Sequence, residues 1–324
     1  MLFRSRNLGI ARDASIVFMG QTVLYSPYLS FSLHQQRTSG FLTPHYGSSS
    51  KSGAEFTLPY YWNIAPNFDA TLHPRYMTKR GMQLNTDFRY LEPTLQGEAR
   101  AEFLPSDQQL NRDRYGFFYK HTQTFANGWS GSLNLNKVSD DKYFTDLSTL
   151  TALTSQIILP REGTLMRGGT WGHSGVYGFT AQIQRWQTLQ ADPLVPITPP
   201  YNRQPQLTFT AQNQDIFHSD FDFLGNFVDF NHPTLPSGRR VLAYPSLSLP
   251  LQTSYAFLTP KIGLHVTHYA LDKNTSSLPD STRTLPIFTT ETGVVLERDT
   301  TIASQRYVQT LEPKLYYEIG RAHV

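Results

Sequence analysis

Residues 128–138 read GWSGSLNLNKV. Trp129, Leu133 and Leu135 share one parity; Ser130, Ser132, Asn134 and Asn136 share the other. Successive side chains of a strand point to opposite faces, so this spacing predicts a strand with one apolar and one wet face. YGFTAQIQRW (177–186) repeats it, with Tyr177, Phe179, Ala181 and Ile183 against Thr180, Gln182 and Gln184. GMQLNTDFRY (81–90) sets Met82, Leu84 and Phe88 against Gln83, Asn85, Asp87 and Arg89. GEARAEF, QLTFTAQ, KIGLHVTHYAL and TLEPKLYY continue the scheme, and no stretch has a convincing helical period.

The wet face is mostly Ser, Thr, Asn and Gln with paired charges, which suits the lumen of a transmembrane barrel. Aromatic residues at strand ends, among them Tyr60, Tyr61, Trp62 and Trp129, suit a lipid–water boundary. Alternation alone leaves a soluble β-sandwich open.

Composition narrows the classes. The chain has 324 residues, 39% hydrophobic, 13% aromatic and 16% charged, which excludes disorder. This length holds two soluble domains or part of one large all-β structure. A net charge of +3 with scattered Lys and Arg offers no nucleic-acid surface. The absence of cysteine excludes thiolate metal sites, a cysteine nucleophile and any disulfide within this stretch. No apolar run approaches the about 18 residues of a membrane helix, a requirement that barrel strands do not share. The end strings MLFRS and EIGRAHV break the pattern and can be back-translated into common sequencing-adapter DNA. Met1–Ser5 and Glu318–Val324 are therefore expected to be non-native, which the parent contig tests.

Residues 6–35 read as a separate unit of short strands with a turn at Gly20, and HQQRTSG (34–40) separates it from the rest. The Pro-rich segment 191–205 reads as a long loop. No catalytic, cofactor or metal constellation stands out. His265 and His268 are three apart on a strand and face opposite ways. SDDKYFTD (139–146), with Asp140, Asp141 and Asp146, lacks the spacing of a calcium loop and reads as a solvated turn. GGTWGHSG (168–175) lacks the strand–helix context of a phosphate loop or a nucleophile elbow.

The prolines are the oddity. Pro44 in SGFLTPHYG and Pro59 in EFTLPYYW interrupt consecutive strand patterns, and proline cannot donate to a ladder. They mark either strand ends or a sheet seam where pairing is weak. Pro66 fits the turn before Asn67, and Pro74 has no account beyond a strand end.

Several stretches carry a resemblance. VLYSPYLSFSL, RTSGFLTPHYG, EFTLPYYWNIAPNFDATLHPRYMTKRGMQLNTDFRYL, AEFLPSDQQLNRDRYGFFY, NLNKVSDDKYFTDL and RYVQTLEPKLYY closely resemble the LptD family of lipopolysaccharide-assembly proteins. The resemblance runs from about Ala11 to Tyr317, weakest over 190–290. It implies an all-β chain: the last strands of a periplasmic β-jellyroll (1–40), about half of a very large antiparallel transmembrane β-barrel (41–317) and a foreign tail (318–324). The family's barrel has about 26 strands, the upper part of the known range. The implied function is transport of lipopolysaccharide to the outer leaflet of the Gram-negative outer membrane, without catalysis or cofactor. Implied partners are lipopolysaccharide, the LptE lipoprotein plug, the periplasmic bridge protein LptA and outer-membrane lipids. Phe18, Leu24, Tyr28, Leu29 and Phe31 become candidate lining of the lipid path, and Pro44 and Pro59 the two prolines of a lateral gate. The competing readings are a generic porin or receptor barrel and a soluble glycan-binding or hydrolase module.

Overall fold

The computed structural model describes residues 8–18, 21–32, 37–148, 156–273, 275 and 277–320. Two compact units emerge, one of residues 1–121, 136–157 and 189–191, the other of 122–135, 158–188 and 192–324. Both are built of antiparallel strands, the all-β class that the alternation predicts. No helix among the described residues is long and apolar enough to cross a membrane.

In the first unit, β1 (Leu8–Phe18) pairs with β2 (Gln21–Ser32) as a two-stranded sheet, with a register shift between Ile16 and Val17. A larger sheet follows: β3 (Gly40–Phe41), β4 (His45–Ser49), β5 (Gly53–Thr57), β6 (Tyr60–Ala65), β7 (Phe68–Met77), β8 (Gly81–Leu91) and β9 (Leu95–Asp107). β10 (Arg112–Thr124) then runs as far as His121 in this unit. Phe56, Tyr60, Trp62, Pro74, Tyr76, Met82, Leu84 and Phe103 have one parity across the registers, and their face is apolar and largely solvent-exposed. The opposite face carries Glu55, Asp69, Arg75, Gln83, Arg89, Arg100 and Glu102. An exposed apolar face beside a buried polar one inverts the pattern of a water-soluble sheet.

The second unit is a meander: β11 (Trp129–Val138, here to Leu135), β12 (Ile158–Trp171), β13 (Gly175–Thr188), β14 (Asn202–Ile216), β15 (Ser219–Asn231), β16 (Gly238–Ser248), β18 (Ala256–Leu271) and β19 (Ser281–Val294). The short β17 (Leu251–Gln252) turns back on β18. β20 (Leu296–Ile302) and β21 (Gln305–Leu311) form a separate hairpin, after which β22 (Lys314–Ile319) pairs with β19. Again the faces separate. Leu133, Leu165, Ile183, Phe209, Val241, Ile262 and Leu264 are exposed on one. On the other, Glu162 accepts from Asn134 at 3.3 Å and from Gln184 at 2.8 Å, and Lys261 meets Asp222 at 2.9 Å.

The proline-rich segment departs from expectation at its end. β14 starts at Asn202, inside the stretch read as loop. Both neighbouring registers shift there, between Gln182 and Gln184 on one side and between Arg203 and Gln206 on the other. A bulge of this kind tolerates the donor that Pro205 lacks.

Candidate functional site

The first hairpin of the larger sheet is interrupted on both strands at one level. β4 and β5 pair from Ser49↔Gly53 to His45↔Thr57, and β3 and β6 pair through Gly40↔Tyr61 and Phe41↔Tyr60. Between these ladders, Leu42–Pro44 face Leu58–Pro59, three residues against two. Leu42 N donates to the Pro59 carbonyl at 2.8 Å, and the reciprocal bond is impossible because Pro59 has no N–H.

The next strand repeats the defect. β7 keeps one register past the gap, from Thr57↔Arg75 to Tyr60↔Leu72, which sets Leu58 opposite Pro74. Leu58 N donates to the Pro74 carbonyl at 3.3 Å, and Pro74 returns nothing. Two neighbouring pairs, Leu42/Pro59 and Leu58/Pro74, each keep one bond of two. Each missing bond is worth about 0.5–1.5 kcal/mol net. Pro74 thus gains a place that its strand pattern alone withheld. The turn at Pro66 and Asn67, closed by Ala65↔Phe68, would set Leu58 opposite Arg75, and the register shift between Asn63 and Ala65 brings Pro74 there instead.

Both sides of this row are stitched. On the side of the β4–β5 turn, Arg75 donates to Glu55 from Nε at 2.9 Å and from Nη2 at 2.5 Å, and Thr78 N donates to the Ala54 carbonyl at 3.0 Å. On the other side, buried Asp69 accepts from Arg89 Nε at 2.8 Å, Tyr61 Oη at 3.2 Å and Arg37 Nη1 at 3.3 Å. Asn63 N donates to Ser39 Oγ at 2.9 Å, and its side-chain amide nitrogen donates to the Arg37 carbonyl at 3.0 Å. These contacts fasten the incoming chain to β6 and β7.

The polar face near the turns is covered by residues 139–147, where the sequence predicts a solvated turn. Their end is a short helix, α1 (Tyr143–Leu147), with Tyr143, Phe144 and Leu147 buried. Arg114, fully shielded from solvent, grips Asp140 side-on through Nε and Nη2, both at 2.9 Å, and reaches Asp146 at 3.1 Å and Asp107 at 3.3 Å. Asp107 also takes Arg80 at 2.6 Å. Tyr143 donates to Glu102 at 2.5 Å, and Arg75 Nη1 donates to the Leu147 carbonyl at 2.9 Å. Gly116 leaves room for the Tyr143 ring, since a β-carbon there would lie 3.1 Å from its hydroxyl.

Burial pushes the Asp140 carboxyl up, but hydrogen bonds from Arg114 and Ser139 and the charges of Arg114 and Arg112 hold it below the ordinary range. Burial, then the Glu102 carboxylate, pushes the Tyr143 hydroxyl far above its ordinary value. The acidic side chains are thus occupied by guanidinium groups, and no metal-binding cluster exists among the described residues.

The comparisons bear on this arrangement. A family model described as "LptD: LPS transport system D" matches residues 112–321. The LPS-assembly protein LptD of Nitrosomonas eutropha is 42% identical over 317 residues, covering 96% of this chain and 43% of that protein. The chain belongs to the LptD family. LptD proteins of Nitrosomonas europaea (41% identical, 97% of this chain, 44% of that protein) and Azoarcus sp. (44%, 96% and 39%) agree. The chain therefore spans less than half the length of these LptD relatives. A solved bacterial polysaccharide outer membrane secretin aligns at a TM-score of 0.30 and 10% identity over 83% of this chain and 92% of that one, too distant to bear on the fold. Neither a generic porin or receptor barrel nor a soluble β-sandwich is favoured by the LptD matches.

The residues singled out from sequence fall as follows. Pro44 and Pro59 meet in one gap of one hairpin, with Pro59 buried. Tyr60 and Trp62 lie on the apolar face, whereas Tyr61 turns to the polar face and Asp69. Trp129 lies under the Arg167 guanidinium, 5.4 Å from its ring, and edge-on to Phe179. Phe18, Leu24, Tyr28, Leu29 and Phe31 pair with Gln21, Ile16, Arg12, Ala11 and Gly9, and their side chains lie outside the described residues. His265 and His268 do not converge: one ring packs on Tyr244 and the other meets Thr282.

Proposed function

We propose that this chain is a section of an outer-membrane lipopolysaccharide translocator, with the strands of β1 and β2 ending a periplasmic lipid-binding jellyroll. The observation that carries the reading is the two-faced sheet in a chain of the LptD family. The apolar face meets outer-membrane lipid, and the polar face, rich in paired charges and amides, gives sugars a hydrated wall. Phe18, Leu24, Tyr28, Leu29 and Phe31 line the acyl path in this reading.

The protein contributes a path and a gate, with no catalytic step of its own. The gate lies beside the hairpin containing Pro44 and Pro59, where lost donors keep the strands easy to part. In lipid the loss counts for more, because water cannot take the place of the missing bond. The remaining partners are LptA, which delivers lipopolysaccharide from the periplasm, and LptE, which fills the barrel.

Depletion of the full-length protein tests the reading. Newly made lipopolysaccharide is expected to stop reaching the cell surface and to return with re-expression. Undiminished surface lipopolysaccharide in depleted cells overturns it.

A further inference from the structure

We infer that Pro74 is a third gate-positioning residue, which lets the first hairpin pivot at Leu58–Pro59 instead of parting only at its outer edge. The inference rests on the gate reading above and adds a strand to it.

A middle strand is held by bonds to both neighbours. At the level of Leu58–Pro59, regular pairing would supply two bonds toward β3 and two toward β7. Only Leu42 N→Pro59 O and Leu58 N→Pro74 O form, and the second is stretched to 3.3 Å. Had β7 carried any other residue at 74, the hairpin would be fully pinned on that side. Because the lost donor points toward Leu58, it leaves the other side of β7 intact. The β7–β8 register runs unbroken from Phe68↔Tyr90 to Met77↔Gly81, so the weak row stops at β7 and β8 is its firm border.

The blocks flanking the row are fastened independently. Glu55 and Ala54 are tied to Arg75 and Thr78 on one side, and Tyr61 and Asn63 to Asp69, Arg37 and Ser39 on the other. Two stitched blocks joined by a row short of two ladder bonds bend readily at that row. Pro59 places its missing donor within the hairpin and Pro74 places its own between the hairpin and β7. Together they release the middle strand on both flanks at one level.

Hydrogen exchange on the full-length protein tests the inference. In the unaltered protein the Leu58 amide is expected to exchange faster than the Tyr60 amide, one pair further along the same ladder; equal rates overturn the pivot without any variant. Pro74→Ala restores a donor opposite the Leu58 carbonyl. It is expected to slow exchange at Leu58 and at Leu42 about threefold to tenfold, the worth of one hydrogen bond, and to slow lipopolysaccharide export. Pro66→Ala, in the turn, is expected to change neither. Slower exchange at Leu58 with Leu42 and export unchanged means a local repair only, and removes Pro74 from the gate. Should depletion show that the protein does not carry lipopolysaccharide, the function fails while the exchange pattern still reports the pivot.

Discussion

Arg114 holds Asp140 through two parallel hydrogen bonds, Nε to Oδ2 and Nη2 to Oδ1, both 2.9 Å long. The pair joins a strand to the segment that covers its polar face. Because the same guanidinium also reaches Asp146 and Asp107, one side chain orders three carboxylates.

Removing that cation leaves Asp107 and Asp146 to Arg80 alone and Asp140 to Arg112 and Ser139, with the main buried partner of the cluster gone. Arg114→Ala is therefore expected to weaken docking of residues 139–147 by about 3–5 kcal/mol. Arg114→Lys, which keeps charge but loses the side-on fork, should fall between. Exchange rates of the Tyr143–Leu147 amides measure both, and unchanged rates in Arg114→Ala contradict the assignment.

The depressed Asp140 carboxyl gives the docking a pH dependence. A carboxyl lowered in the folded state contributes stability that is present in full above its unfolded value, about 3.9, and lost as pH falls through the folded value. A spin label at Asp141→Cys, an exposed position, should stay immobile from neutral pH down to about 4 and loosen below it. Adding Asp140→Asn should free the label at neutral pH.

Gly97 lies opposite Tyr90 on the apolar face, and a β-carbon there would strike the Tyr90 ring and come within 2.6 Å of the Lys120 carbonyl. Tyr90 meets Tyr119 at 2.8 Å and His121 at 2.5 Å through its hydroxyl. Gly97→Ala is expected to displace this ring and to cost about 1–3 kcal/mol, read as a lower unfolding temperature in detergent.

Strand type and face were legible wherever alternation is clean. YGFTAQIQRW lies within β13 with Phe179 and Ile183 on the apolar side, as its spacing predicts. What was not legible depends on partners distant in the chain. SDDKYFTD carries the residues of a wet turn, and only Arg114, 26 positions before Asp140, makes it a buried anchor. Its helix spans five residues, too few for a period to show. Tyr61 reads as a boundary aromatic until the register gives it the opposite face from Tyr60 and Trp62. Pro205 enters a strand because a bulge absorbs it, and bulges leave no periodic mark. Pro74 was not legible either, because counting across the Pro66-Asn67 turn sets Leu58 opposite Arg75 until the irregularity between Asn63 and Ala65 moves the register by one.

The most direct test concerns Pro44 and Pro59, the two prolines that share the gap in the first hairpin. Cells whose only copy is the full-length protein carrying Pro44→Ala and Pro59→Ala regain the ladder donors there. With barrel folding checked by heat-modifiable mobility, the quantity to measure is the rate at which newly made lipopolysaccharide reaches the surface. Slower export than in the unaltered protein is the expected result; an unchanged rate from a correctly folded double variant contradicts the gate.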